Sequence, residues 1–349
     1  MDREVTLMEM LEAREVRAGR QRELLERYVR PVVSFTLNIA GPVKNGPVIR
    51  RAFREGLLRL EDALAARGLR PLHQEEVDRP TGCEALWAVD GPARTVKELC
   101  AGIEDRDPLG RLFDLDVLDP EGGKWDREAL GLPPRPCLVC GKAGKGCASR
   151  RLHPVEEIQE KTQTILRDFF AGKDRKFLAA QGARALLYEV CTTPKPGLVD
   201  RHNNGSHKDM DVFTFLDSTA ALLPYLERAA AIGQETAHRM PEETFERLRE
   251  AGLGAERTML RATGGVNTHK GAIFSLGCVL GACGRLWTLE GPCREPEEIL
   301  AECGRMSAPA EEGFFAALTR ENARTAGERL YVETGERGVR GEAAGGFPA

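Results

Sequence analysis

The stretch GRLFDLDVLD, residues 110–119, alternates apolar and acidic side chains. On a strand, successive side chains point to opposite faces, so Phe113, Leu115 and Val117 face a core while Asp114 and Asp116 stand together on the other side. Two neighbouring carboxylates repel each other unless a cation lies between them, and hard oxygen ligands of this kind suit Mg²⁺ bound to phosphates. The competing reading is an amphipathic edge strand whose aspartates are simply solvated. Gly110 weighs for the first, because a residue without a Cβ lets a phosphate chain come close to the backbone.

The second half carries a different mixture, TTPKPGLVDRHNNGSHKDMD, residues 192–211. Prolines stiffen the exit from one helix, and Gly197, Asn203, Asn204 and Gly205 permit sharp turns. Asp209 and Asp211 stand at the start of the next helix, as a cap or as ligands of Mg²⁺. Lys195, Arg201, His207 and Lys208 then ring a helix N-terminus, where backbone N–H groups already favour anions. The stretch TGGVNTHKGAIFSLGCVLGACG repeats the device. Gly264 and Gly265 make a turn, Asn267 or Thr268 can cap, and His269 and Lys270, candidates for catalysis, stand at the start of a helix so rich in small residues that its neighbours pack very close. Two such anion sites can clamp one triphosphate only if both loops face a common cleft, with Lys195, Lys208 and Lys270 pointing into it. The competing reading of each is a solvated loop and a tightly packed core helix.

A third group, RPCLVCGKAGKGCASRRLHPVEEI, spaces Cys137, Cys140, Cys147 and His153 as C-x₂-C-x₆-C-x₅-H. Such a set could close a structural Zn²⁺ site. The absence of a second C-x₂-C pair favours the alternative of small thiols beside a basic loop containing Lys142, Lys145, Arg150 and Arg151.

These residues need elements to hold them. LMEMLEAREVRAGRQRELLERY reads as a helix with Leu7, Met10, Leu11, Leu24, Leu25 and Tyr28 on an apolar side and Arg14, Arg17 and Gln21 on a polar face. VVSFTLNIAGP and EALWAVDG have the period of strands, a helix follows the first, and TVKELCAGIE is a helix with Thr95 and Glu98 in capping-box spacing. The first half is therefore expected to be an α+β domain, residues 1–173, with a mixed sheet. Gly172 interrupts a helical pattern, and beyond it residues 174–349 read as an all-α domain, with one long helix expected to end at Gly233. The chain has 349 residues, enough for two domains, and 42% hydrophobic residues, enough for a core in each. A net charge of −4 excludes a general nucleic-acid footprint, the charged N-terminus excludes a signal peptide, and the uncharged run at 271–284 is too short for a membrane span. Ten cysteines without a secretory signal read as reduced thiols or metal ligands, and the chain as soluble and cytoplasmic.

The motifs REVRAGRQ, SFTLNIAGPVKN, GRLFDLDVLD and RPCLVCGKAGKGCASRRLHPVEEI resemble the holo-acyl-carrier-protein synthase of citrate lyase, a nucleotidyltransferase. YEVCTTPKPGLVDRHNNGSHKDMDVFTFLDS, TGGVNTHKGAIFSLG and GERLYVETGERGVRGEAAGGFP resemble triphosphoribosyl-dephospho-CoA synthase. The chain is thus similar, over nearly its whole length, to a bifunctional fusion of the enzymes that make and attach the citrate lyase prosthetic group. The resemblance implies that the second domain joins ATP to 3′-dephospho-CoA and expels adenine. It implies that the first transfers phosphoribosyl-dephospho-CoA to a serine of the citrate lyase acyl carrier protein, the gamma subunit, and expels pyrophosphate. Asp114 and Asp116 would hold Mg²⁺ there, with Arg14, Arg17 and Lys44 around the leaving group and Asp90 or Glu104 as a further ligand. Synthases of this family continue past RGEAAGGFP, so the second domain is expected to be truncated and the first activity to be the safer one. Rival classes are a zinc-stabilised nucleotide-binding module and a phosphate-ester or glycosyl hydrolase, which would release free ribose phosphates in place of an adduct.

Overall fold

The structure, a computed structural model, describes residues 3–142, 147, 150 and 152–348. The chain divides into two units, Met1–Phe169 and Phe170–Ala349.

The first unit runs α1 (Leu7–Tyr28), β1 (Val32–Leu37), α2 (Pro47–Ala66), β2 (Arg70–Arg79), β3 (Gly82–Asp90), α3 (Ala93–Asp105), a 3₁₀ turn (Pro108–Leu112), β4 (Phe113–Leu118) and β5 (Lys124–Trp125). Its five strands lie in the order β2-β3-β1-β4-β5. Where a mixed sheet was expected, each of the four pairings is antiparallel. Neither α2 nor α3 carries the chain back to a parallel neighbour: β2 forms a hairpin with β3, and β3 and β4 flank β1 head to tail.

The register separates the faces. Phe35, Leu115 and Ala85 form one cross-strand row, and Val33, Val117 and Trp87 the next, all buried beneath α2 and α3. Phe35 stacks on Phe53 of α2 at 4.8 Å, and Gly56 leaves the space that its ring fills. Ser34, Thr36, Asp114, Asp116 and Glu84 alternate with these and lie on the opposite face. That face is covered at one end by Leu24 and Leu25 of α1, packed on Val32, Leu86 and Ala88. The amino-terminal half of α1 departs from the expected apolar stripe, because Leu7 and Leu11 are exposed. Thr95 is already inside α3, whose cap is Pro92, and Glu98 pairs with Arg94 at 3.1 Å instead of closing a capping box.

Helix α4 (Val155–Cys191) runs through Gly172 without a break. One helical glycine costs only about 1 kcal/mol relative to alanine, which neighbouring helix formers absorb. In the second unit follow α5 (Val212–Thr236), α6 (Pro241–Ala262), α7 (Lys270–Arg285), α8 (Pro296–Ala316), α9 (Ala326–Thr334) and α10 (Gly338–Ala344). Gly233 does not end α5. It lies at the crossing with α7, where a Cβ would overlap the carbonyl of Gly281, as one at Gly284 would overlap that of Ala230. The small residues of α7 therefore do let two backbones touch. Among the described residues, no helix is long and apolar enough to cross a membrane.

Candidate functional site

In the first unit, β4 presents Asp114 and Asp116 on the open part of the sheet face. Lys124 of β5 reaches Asp116 at 2.7 Å. Asp114 is exposed, yet partial desolvation and then repulsion from Asp116 hold its carboxyl above the ordinary range, against the pull of Lys124, Arg135 and Lys97. The pair thus keeps uncompensated negative charge, and its hard oxygen donors fit a Mg²⁺ ion carrying phosphates.

The cross-strand row Glu84, Thr36, Asp114 places Glu84 two strands from Asp114, roughly 10 Å away by strand spacing. Glu84 binds Arg17 of α1, which brings that guanidinium over the same face. Burial and then the charge of Arg14 lower the Lys44 pKa, so these two cations are neighbours, and Lys44 is held by the carbonyl of Ile39 at 2.5 Å. Gln21 lies one turn beyond Arg17, half-buried. Gly110 is not an open seat for a phosphate. It is buried in the 3₁₀ turn, and a Cβ there would lie 2.5 Å from the carbonyl oxygen of Ile103 and 2.6 Å from that of Glu104. It is glycine because the turn backs onto α3.

Neither suggested additional ligand converges with the two aspartates into a group of three among the described residues. Asp90, at the far end of β3, pairs with Arg30 at 2.9 Å. Glu104 is buried, accepts the Leu115 N–H at 2.9 Å, and has Arg127 and Arg135 each at 3.6 Å; burial raises its pKa against Arg135. It closes the free edge of β4, as does Lys97, which donates to the Leu115 carbonyl at 2.8 Å. Glu84 is the carboxylate that the sequence reading missed; its alternation with Ala85 and Trp87 of the core face was the available signal.

In the second unit, the 264–270 loop packs on the first two turns of α5, the helix that the 192–211 loop leads into. His269 is edge-on to Phe215 at 5.0 Å, and its Nδ1 lies 2.7 Å from the Ser218 hydroxyl, both residues being in the first two turns of α5. Thr268 donates to the same hydroxyl at 2.8 Å. Lys195 pairs with Glu189 at the end of α4 at 2.7 Å, and the charge of Glu189 acts on His269. Lys270 pairs with Glu256 of α6 at 3.2 Å. Lys195 and Lys270 are thus offset by carboxylates, Glu189 and Glu256, and not left to repel each other until a triphosphate binds.

Burial pushes the His269 pKa down to about 4, and its Nε2 is buried without a hydrogen-bond partner. The loop is organised by a residue not foreseen, Asp200, which is buried and accepts the N–H groups of Lys195, His202 and Asn203 at 2.7–3.1 Å. Those bonds, from His202 and Lys195 first, hold its carboxyl below the usual range. Asn203 serves the turn by accepting the Gly205 N–H at 2.8 Å, and Arg201 leans on Thr193 at 3.4 Å. His207 is half-buried; Lys208 and Asp209 are exposed.

Asp211, expected on a metal, is the N-cap of α5: its Oδ1 accepts both the backbone N–H and the hydroxyl of Thr214 at 2.9 Å. Neither Asp209 nor Asp211 belongs to a converging group of three or more ligands among the described residues. Gly264 and Gly265 take positive φ to end α6, with the Gly265 N–H on the Leu260 carbonyl at 2.7 Å, and Asn267 accepts the Lys270 N–H at 3.2 Å. Behind Glu256 lies a cavity of about 370 Å³, whose walls include Arg249, Glu311, Tyr225 and Arg340.

Cys137, Cys140, Cys147 and His153 converge in the first unit; Lys145 and Arg151 of the adjoining basic loop lie outside the described residues.

Residues 5–169 match the family described as apo-citrate lyase phosphoribosyl-dephospho-CoA transferase, and residues 175–349 the family described as ATP:dephospho-CoA triphosphoribosyl transferase. Over 98% of its length the chain is 36% identical to Protein CitXG of Haemophilus influenzae, spanning 74% of that protein. It is also 36% identical, over 99% of its length, to Protein CitXG of Leuconostoc mesenteroides subsp. cremoris, spanning 75% of it. The second half is similar to a probable 2-(5''-triphosphoribosyl)-3'-dephosphocoenzyme-A synthase of Streptococcus mutans, 39% identical over 49% of this chain and 61% of that one.

Proposed function

The chain belongs to the family that joins an apo-citrate lyase phosphoribosyl-dephospho-CoA transferase to an ATP:dephospho-CoA triphosphoribosyl transferase, and on that premise we propose how its residues divide the chemistry. It is a multifunctional transferase that makes and attaches the citrate lyase prosthetic group. In the first reaction the 2′-hydroxyl oxygen of 3′-dephospho-CoA bonds to the ribose C1 of ATP, the bond from C1 to adenine breaks, and adenine leaves with the proton given up by the hydroxyl. In the second, a serine hydroxyl of the acyl carrier protein attacks the phosphorus next to the new ribose and pyrophosphate leaves.

For the first reaction Lys195, Lys270 and the backbone around the start of α5 bind the triphosphate, and the cavity behind Glu256, with Arg249 and Arg340 in its wall, takes part of the nucleotide or dephospho-CoA. Ser218 accepts from Thr268, so its own proton serves His269 Nδ1 and the imidazole proton resides on Nε2. A buried N–H without a partner seeks an acceptor, and a ring nitrogen of the departing adenine supplies one. The low pKa keeps the ring neutral at physiological pH, so His269 polarises the leaving base by hydrogen bonding.

For the second reaction Asp114 and Asp116 would hold Mg²⁺, which when bound neutralises charge building on the pyrophosphate. Arg17, Arg14 and Lys44 orient the phosphates from above the sheet face. The partner of this unit is the citrate lyase acyl carrier protein, and ten unpaired cysteines fit a reducing, cytoplasmic location.

The observation that carries the assignment is the aspartate pair on the open part of the sheet face, with Asp114 in one cross-strand row with Glu84, which binds Arg17 of α1. The test supplies triphosphoribosyl-dephospho-CoA and apo-carrier protein to Asp114→Asn and Asp116→Asn, and follows the carrier's mass. Each is expected to lose transfer by at least about a hundredfold, since a shared metal loses a ligand and a charge. Transfer by both near the wild-type rate refutes the site.

A further inference from the structure

The four residues of the C-x₂-C-x₆-C-x₅-H segment bring three sulfurs and one ring nitrogen to within 4.8 Å of one another. Among the described residues, no other group of three or more His, Cys, Asp or Glu converges in this way. Cys140 Sγ and Cys147 Sγ are 3.5 Å apart. That is far beyond a disulfide bond of about 2.05 Å. It is close to the roughly 3.8 Å between two sulfurs that each lie about 2.3 Å from one tetrahedral ion.

The local backbone is folded for this purpose. Gly141 has φ 73°, a conformation that favours glycine, and its N–H donates to the Cys137 carbonyl at 3.0 Å. The Cys137 N–H donates in turn to the Lys142 carbonyl at 2.6 Å. This closed turn bends Cys137 and Cys140 toward the same point. His153, just before α4, is fixed from the other side: its Nδ1 lies 3.2 Å from the Glu157 carboxylate. Its Nε2 is buried and has no hydrogen-bond partner. A histidine whose outer nitrogen meets a carboxylate while the inner one lacks a partner has the arrangement of a metal ligand with its supporting acid.

We propose that Cys137, Cys140, Cys147 and His153 Nε2 hold one Zn²⁺ ion in a closed tetrahedral site. Three thiolates and an imidazole match the softness and geometry that zinc prefers. Four protein ligands leave no position for substrate, so the ion is structural. It fastens the long connection after β5 to the start of α4. It also steadies the approach to β4, because Arg135 donates to the carbonyls of Gly110 and Arg111 at 3.1 Å each and Arg111 donates back to the Pro136 carbonyl, next to Cys137. The zinc site therefore lies at one end of a hydrogen-bonded path to the turn that feeds Asp114.

The test uses the full chain, purified under reducing conditions after growth with zinc, and measures bound metal by plasma mass spectrometry. About one zinc per chain is expected, falling below a tenth in the Cys137→Ser, Cys140→Ser double variant and staying at one in Cys191→Ser, a half-buried cysteine outside the cluster. Should the double variant not fold, X-ray absorption of the wild-type protein decides alone: about three sulfurs near 2.3 Å and one nitrogen near 2.0 Å are expected. Chelation should expose the connection between β5 and α4 to proteolysis and increase hydrogen exchange there. Absence of stoichiometric zinc even after reconstitution overturns the proposal, as does a mass lower by two hydrogens that maps to a Cys140–Cys147 disulfide, or full zinc in a folded double variant.

Discussion

Acid should destabilise the second unit through His269, by an amount the structure sets. Burial lowers this group from 6.5 to about 4 in the folded state. The unfolded chain therefore binds a proton between those values that the folded one refuses, and stability rises with pH where the unfolded state holds more protons. The sign is thus fixed: the contribution is fully present above about pH 6.5 and is lost as pH falls through about 4. At 1.36 kcal/mol for each of about 2.5 units the ceiling is roughly 3 kcal/mol, and about 2 kcal/mol of it should be lost between pH 7 and pH 5. Carboxylates elsewhere also weaken the fold in acid, so the informative quantity is a difference between proteins. His269→Asn keeps an oxygen where Ser218 donates to Nδ1 but cannot be protonated. Urea unfolding, read by proteolysis of peptides from α5 and α7, should show a pH 7 to pH 5 loss about 2 kcal/mol smaller in the variant. Equal losses in the two proteins refute the buried neutral imidazole, and with it the hydrogen-bond donor assigned to the departing adenine.

Two glycines should respond oppositely to alanine. Gly233→Ala, whose Cβ would overlap the Gly281 carbonyl, should cost on the order of 1–3 kcal/mol, whereas Gly172→Ala, with only the far end of Arg175 at 3.7 Å, should stabilise by about 0.5–1 kcal/mol; thermal unfolding measures both. Lys270→Ala removes a partly exposed ion pair with Glu256, worth about 0–1 kcal/mol to the fold, so a large effect must come from chemistry. It should lower ATP-dependent formation of the dephospho-CoA adduct at least tenfold and leave transfer from supplied precursor to the carrier protein unchanged; loss of both activities would indicate misfolding.

The sequence by itself determined whatever local pattern controls. The bounds of α1 followed from helical spacing, and the two faces of β4 from strict alternation, because a period of two admits only one division into core and cleft sides. The converging cysteines were visible as a spacing. The two loops with their breakers, histidines and lysines were legible as a candidate site from residue types alone.

Tertiary structure decided which residues meet. Gly110 read as a phosphate seat and proved to be a seat for the backbone of α3; Gly172 and Gly233 read as helix ends and lie inside helices, since a missing side chain looks alike whether it makes room for a turn, a ligand or another helix. Asp209 and Asp211 looked equivalent, and only the backbone path at the start of α5 made Asp211 the cap. Glu84, Glu189 and Glu256, which hold Arg17, Lys195 and Lys270, come from other elements, 67, 6 and 14 positions away in sequence. Charges find their partners through chain closure over distances that no local period encodes, so the chemistry was legible residue by residue while its electrostatic balance waited for the fold.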